Sequence, residues 1–204
     1  MPNHCEQQMS ISGPKEDRDL FVQQAKDDDG FSLRVFHPMP EELKHSFSGF
    51  MSDPDKAAEY EKQHAENTAK YGHPDWYSWA NAEWGTKWGD YDGDISTHDE
   101  YGTRAYYMTA WGPATELVAK VSAKFPTLLF VVQYSEPGCG FGGVTAFRAG
   151  VVLRDEEVPM PDMDFSYEDD DYEEKYEAWE QSWMELLDRL EDEMECEFLG
   201  AVAP

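Results

Sequence analysis

The chain has 204 residues, a length typical of one domain with an appendage, and its 43 acidic against 16 basic side chains give a formal net charge of -27. Hydrophobic residues make up 40% of the sequence, which is enough to build a buried core and excludes global disorder. Such a negative chain repels nucleic acid and anionic membranes and attracts basic surfaces. We therefore expect a basic protein partner, no direct nucleic acid contact and no membrane.

The sequence gives no sign of a membrane span, a leader segment or a cysteine framework. No stretch approaches the roughly 20 apolar residues that cross a bilayer, and the first residues lack a basic region followed by an apolar run. Cys5, Cys139 and Cys196 are far apart and never form a Cys-x-x-Cys pair, so neither a disulfide framework nor a thiolate zinc site is predicted. We expect a cytoplasmic protein without a cofactor.

The N-terminal part predicts two strands separated by a helix. Residues 7–12 alternate between polar and apolar side chains, which indicates a half-buried strand. Pro14 suits the first turn of a helix that runs to about Lys26. Residues 31–35 alternate again as a second strand, and the prolines at 38–40 stop it because proline cannot donate to a ladder.

An inserted region is predicted at about residues 41–102. Polar helix-forming residues over 53–71 favour a helix, and a cluster of aromatic residues follows. The cluster consists of Trp76, Tyr77, Trp79, Trp84 and Trp88. These rings either complete the core, which is the usual fate of large aromatics, or offer a binding surface. We keep Trp84 and Trp88 as candidate partner-binding residues.

The next segments complete the predicted sheet. Residues 104–111 read as a third strand, and a helix that starts at 112–113 carries apolar residues inward as far as Phe125. The nearly continuous apolar run 127–134 is typical of a central strand, and 144–153 gives one more strand. The order predicts an α+β fold, a ferredoxin-like split βαβ sheet with a helical, aromatic-rich insertion over residues 1–154.

The C-terminal extension, 155–204, carries most of the negative charge. Between Asp155 and Glu197 there are 20 acidic residues against Lys175 and Arg189, a net of -18. Residues 172–198 predict an amphipathic helix whose apolar stripe docks either on the parent domain or on a copy of itself, which would make a homodimer. Its carboxylates either keep the protein in solution or imitate phosphates for a basic partner. The candidate partner-binding residues are Asp169, Asp170, Asp171, Glu173, Glu174, Glu177 and Glu180.

No catalytic constellation is evident, so we predict that the protein is not an enzyme and assign no catalytic or metal-binding residue. Asp90, Asp92 and Asp94 are spaced like the first calcium ligands of an EF-hand, but the glycine is misplaced and Glu100 comes one residue early. A solvated acidic loop is the simpler interpretation. Cys139 would need a nearby histidine and a depressed thiol pKa to act as a nucleophile.

Several short motifs are distributed over the first three quarters of the chain. They are the opening Met1-Pro2-Asn3 with Cys5, the turn Ile11-Ser12-Gly13-Pro14, the segment Phe36–Pro40, the WGTKW of Trp84–Trp88, Thr109-Ala110-Trp111 with Pro113, and Tyr134-x-Glu136-x-Gly138-x-x-Phe141-x-Gly143. Together they resemble the YubB ferredoxin-like domain family, whose members occur on bacteriophages and conjugative plasmids. The resemblance covers about residues 1–154 and implies a ferredoxin-like fold and a mobile-element origin, without an established reaction. His4 stands where a tryptophan is common, and Gly89 follows WGTKW directly; both depart from the family pattern.

Charge and resemblance together lead to one main hypothesis. The chain would be a non-catalytic inhibitor in the cytoplasm of a host bacterial cell, where its carboxylates imitate DNA and occupy the basic groove of a restriction or CRISPR effector. One alternative is a metal-dependent effector or enzyme that uses the Asp90–Glu100 loop or the neighbourhood of Glu83 and Lys87. Another is a structural dimerisation module.

Overall fold

The computed structural model describes residues 3–98 and 102–200; Met1, Pro2 and Glu100 of the motifs above lie outside this part. The strands are β1 (His4–Ser12), β2 (Lys26–Asp27), β3 (Gly30–Phe31), β4 (Tyr91–His98), β5 (Gly102–Ala110), β6 (Leu129–Glu136), β7 (Phe141–Arg148) and β8 (Val151–Glu157). The helices are α1 (Lys15–Gln24), α2 (Glu41–Lys44), α3 (Pro54–Tyr71), α4 (Trp76–Glu83), α5 (Thr115–Lys124) and α6 (Tyr172–Gly200), with a 3-10 turn at Arg34–Phe36.

The strands form one sheet in the order β2-β3-β4-β5-β1-β6-β7-β8, and every neighbouring pair is antiparallel. Its central part is a split βαβ arrangement, because β1 lies between β5 and β6 while α1 and α5 make the two crossovers. The predicted α+β class and the long C-terminal helix are therefore confirmed.

Two strand predictions are wrong. The second strand of the split βαβ arrangement is β4, inside the region predicted as an insertion, whereas Phe31 lies in the two-residue β3 and a 3-10 turn follows it. Residues 144–153 are not one strand, because Ala149 and Gly150 both adopt positive φ and turn β7 back into β8. The chain between α1 and β4 thus forms the real insertion, shifted towards the N-terminus from the predicted 41–102.

The two faces of the sheet are covered by different helices. Apolar residues of α1 and α5, such as Phe21, Leu117 and Val121, pack with Ile11 and Phe130 in the larger core. On the opposite face α6 packs against β6 and β7 in a second apolar cluster. Strand β8 crosses the predicted boundary between residues 154 and 155, and α6 of the acidic extension packs on the face of the sheet.

The insertion is anchored at α4. Asp75 caps this helix, since its side chain accepts a hydrogen bond from the Ser78 amide at 2.8 Å. Trp79 of α4 and Trp84 just after it join the larger core. Among the described residues, no helix is long and apolar enough to cross a membrane.

Candidate partner-binding surface

The apolar stripe of α6 packs against the sheet of the same chain. Trp183, Leu187 and Met194 are fully buried, and they meet strand residues such as Leu129 and Val144. The Trp183 indole Nε1 also donates to the Val158 carbonyl at 3.2 Å. Burial of side chains of this size stabilises a contact by about 1.5–3 kcal/mol each, so the helix is held firmly on the sheet.

Gly142 of β7 makes room for this contact. A Cβ atom built on Gly142 would lie 2.6 Å from Cζ2 of Trp183, which is far inside the normal contact distance. The glycine-rich segment 138–143, which spans the β6–β7 turn and the start of β7, thus also supplies the flat surface on which the indole ring lies.

Basic side chains of the sheet pair with the acidic residues of α6 that face them. Arg104 contacts Glu191 at 3.1 Å. Arg154 contacts Glu193 at 2.8 Å and Glu197 at 3.0 Å. In addition, Arg148 donates to the Phe198 carbonyl. Nothing in the sequence marked these pairs, because their members are about 40 or more residues apart.

Glu191 is a buried carboxyl at the centre of this contact. Its two oxygens accept hydrogen bonds from Gln8 at 2.8 Å and from Arg104 at 3.1 Å, while Glu195 beside it accepts from Ser10. Burial raises the pKa of Glu191 to about 7, although the nearby Arg104 guanidinium works in the opposite direction. The helix therefore docks through a carboxyl that titrates near neutral pH.

The predicted acidic residues divide into paired and unpaired groups. Lys175 bridges Asp169 at 3.1 Å and Asp171 at 2.9 Å, so these two are partly neutralised, while Asp170 is exposed. Three of the glutamates, Glu173, Glu174 and Glu177, are exposed and form no ion pair among the described residues, and Glu180 is half-buried.

Further along α6, three more exposed carboxylates that the sequence reasoning did not single out have no basic partner among residues 3–98 and 102–200. These are Glu185, Asp188 and Asp192. The helix pattern alone predicts their exposure, because they alternate with the buried stripe. The outer side of α6 is consequently rich in unpaired carboxylates, and Lys175 and Arg189 are the basic residues exposed among them in the described part of the helix.

The two candidate tryptophans have different environments. Trp84 is 6% exposed and its indole donates to the His37 carbonyl at 2.8 Å, so it belongs to the core. Trp88 is 38% exposed, contacts Tyr91, and lies under the Lys87 ammonium, 4.7 Å from the ring centroid. Only Trp88 of this pair presents a large surface to a partner.

The acidic stretch that begins at Asp90 is structural where it is described. Asp90 is fully buried, and its carboxylate accepts hydrogen bonds from the Leu33 and Arg34 amides at 3.1 Å each. Burial raises the pKa of Asp90. Residues 91–98 form β4, so the predicted loop is wrong for this part, although Asp92 and Asp94 are exposed to solvent as predicted. Within the described ranges, no group of three or more histidine, cysteine and acidic residues is placed to hold a metal ion.

Cys139 lies at the β6–β7 turn beside Glu136. The Cys139 amide donates to the Glu136 carboxylate, and this carboxylate raises the pKa of the thiol. Asn3 Nδ2 donates to the sulfur at 2.7 Å. A raised pKa keeps the thiol protonated, which is the opposite of what a cysteine nucleophile requires.

The fold and this surface define an α+β protein with a ferredoxin-like domain and an acidic helix on its sheet. Residues 83–181 match the family model described as the ferredoxin-like domain in Api92-like protein. The match differs from the resemblance read from the motifs, since it starts at Glu83 and continues into α6. The crystal structure of a protein api92 from Yersinia pseudotuberculosis is similar in fold, with a TM-score of 0.50 and 10% identity over 80% of this chain and 100% of that chain. No curated protein matches the chain.

Proposed function

We propose that the protein is a non-catalytic inhibitor that presents the outer carboxylates of α6 to the basic nucleic-acid groove of a host defence protein. The observation that carries this proposal is the combination of a firmly docked helix with an unpaired negative outer side. A rigid charged surface loses little conformational freedom on binding, which favours affinity.

Charge spacing supports imitation of a nucleic acid. Along α6 the exposed carboxylates that form no ion pair among the described residues are Glu173, Glu174, Glu177, Glu185, Asp188 and Asp192. At 1.5 Å per residue they extend over roughly 28 Å, or about one charge every 5 Å. One strand of duplex DNA carries a charge about every 3.4 Å and the whole duplex one about every 1.7 Å, so the helix has about two thirds of the linear charge density of one strand and about one third of that of the duplex.

The sheet face beneath α6 has no free basic surface for RNA or DNA where it is described. Arg104, Arg148 and Arg154 all contact α6. A nucleic acid would have to displace an acidic helix to reach them. This arrangement favours a protein partner over direct nucleic acid binding.

The resemblance to the YubB family adds the biological setting. Its members occur on bacteriophages and conjugative plasmids, which are targets of restriction and CRISPR systems. We infer a mobile-element origin and action in the cytoplasm of the host bacterium. Dimerisation through α6 is the weaker alternative, because the apolar face of that helix is already buried on its own sheet.

Partner capture tests the proposal. Intact protein should retain nucleic-acid-binding proteins from a host lysate, and added duplex DNA should release them because it competes for the same groove. A variant with lysine at Glu173, Glu174, Glu177 and Glu180 should lose this capture. The matched control places four lysines at exposed acidic residues away from α6, namely Asp28, Asp29, Glu59 and Glu61. Equal capture by both variants, or no release by DNA, would reject carboxylate recognition.

A further inference from the structure

A second candidate site lies in the insertion. A cleft of about 530 Å³ opens between the 3-10 turn, α2, the start of α4 and the WGTKW segment. Its main polar and aromatic lining residues are Arg34, Lys44, Lys87, Trp76, Trp84 and Trp88. This volume is within the range of about 300–1,000 Å³ that is usual for small-ligand sites.

The charge of the lining is the reverse of the charge of the chain. Acidic side chains outnumber basic ones by 43 to 16 overall, whereas the cleft is lined by three basic residues and one acidic residue, Asp27. Lys87 forms no ion pair among the described residues. The pair between Lys44 and Glu41 is exposed and spaced i,i+3, so it holds Lys44 only weakly.

Two carboxylates, Asp27 and Asp90, lie beside Arg34. The Asp90 carboxylate accepts a hydrogen bond from the backbone amide of Arg34. The distance from Asp90 Oδ1 to the side-chain Nε of Arg34 is 3.7 Å, which is too long for a second hydrogen bond. Asp27 is similarly 3.6 Å from the guanidinium, so both carboxylates form ion pairs with Arg34 without a direct hydrogen bond to its side chain. The stem of Arg34 passes over Gly89, where a Cβ atom would lie 2.7 Å from the Arg34 Cδ. Gly89, which departs from the family pattern, thus allows the guanidinium to reach the cleft.

We propose that this cleft binds a nucleoside phosphate, with the base against the exposed Trp88 ring and the phosphate between Arg34, Lys44 and Lys87. A guanidinium matches phosphate oxygens in a bidentate manner, and stacking of a base on an aromatic ring contributes about 1–3 kcal/mol. Neither contact depends on the partner proposed for α6.

A free nucleotide fits the charges better than a polymer does. Counter-ions screen charges beyond about 8 Å at physiological salt, so a small anion inside the cleft senses the three cations and the carboxylates beside them, Asp27, Glu41 and Asp90, but little of the distant acidic surface of α6. An oligonucleotide would extend beyond the cleft and meet the acidic remainder of a chain with a net charge of -27.

Titration calorimetry with the full chain tests the site. ADP should bind saturably, whereas adenosine and inorganic phosphate should each bind at least about tenfold more weakly, because each supplies only one of the two contacts. Arg34→Gln and Lys87→Gln should each weaken ADP binding about tenfold. Lys62→Gln is the matched control; Lys62 is an exposed lysine of α3 outside the cleft lining, and this change should leave binding unaltered.

Three results would overturn the proposal. One is the absence of saturable ADP binding at millimolar concentration. Another is unchanged affinity in the Lys87→Gln variant, which keeps a surface position and is expected to fold normally. The third is tighter binding of a single-stranded oligonucleotide than of ADP at the same salt concentration, which would point to a nucleic-acid site instead.

Discussion

The C-terminal helix and the insertion use charge in opposite ways. On α6 the acidic residues that face the sheet are paired with arginines such as Arg104 and Arg154, and the outer carboxylates remain unpaired. In the insertion the basic residues face a cleft, and the carboxylate that orders Arg34 lies behind it, at Asp90. The net charge of the chain therefore does not describe either surface: the outer side of α6 is acidic, and the cleft in the insertion is lined mainly by basic residues.

The strongest test of this comparison is the removal of the largest side chain beneath α6. Trp183→Ala should lower the free energy of unfolding by about 3–5 kcal/mol, because the ring is fully buried between the helix and the sheet. Urea denaturation measures this change. Leu186→Ala, at a 37% exposed position of the same helix, should cost far less. Equal costs would show that α6 is not held by its apolar stripe.

The pH dependence of stability sharpens the comparison further. The folded pKa of Glu191 is about 7, above the ordinary value of 4.5. Folding therefore favours the protonated carboxyl. Its stabilisation of the folded state is fully present below about pH 4.5 and is lost as the pH rises through 7, which lowers the free energy of unfolding by roughly 3 kcal/mol.

The Glu191→Gln variant should remove this dependence, since a neutral amide avoids the cost of a buried charge. We expect the variant to gain stability relative to the native protein at pH 8 and to gain little at pH 5, as measured by thermal unfolding. Glu173→Gln, at an exposed position of the same helix, should show no such difference between the two pH values. A gain for Glu191→Gln that is the same at both pH values would contradict the proposed titration.

A smaller effect is expected at the glycine beneath the indole. Gly142→Ala places a methyl group against Trp183 and should cost about 1–3 kcal/mol through displacement of the ring. Gly112→Ala is the matched control, because a Cβ atom there meets nothing within 4 Å. If both variants unfold at the same urea concentration, close packing of Trp183 on β7 is not important for stability.

Periodic segments were predictable from the sequence, and weakly patterned segments were not. The start of α6 at Tyr172 agrees with the prediction because its apolar residues recur every three or four positions. In contrast, β4 contains aspartates and few apolar residues, so its place as the second strand of the split βαβ arrangement was missed. The turn at Ala149 was also missed, since positive φ at a residue other than glycine has no clear sequence signal.

Of the two candidate sites, the acidic helix was predictable from the sequence and the cleft in the insertion was not. Exposure of Glu173 and Glu177 follows from the helix pattern, and the pairing of Asp171 with Lys175 follows from i,i+4 spacing. The contact between Arg154 and Glu197 and the gathering of Arg34 with Lys87 depend on tertiary structure. Sequence pattern alone therefore identified the negative helix but not the positive cleft.

The position of α6 after β8 in the chain has a consequence during synthesis. The apolar face formed by Leu129, Val131 and Val144 is translated before Trp183 and Met194, which cover it. At about 5–20 residues per second, the interval between the end of β8 and Met194 is roughly 2–7 seconds. During that interval the apolar residues of β6 and β7 lack the part of the chain that covers them, and docking of the highly charged α6 then removes them from solvent.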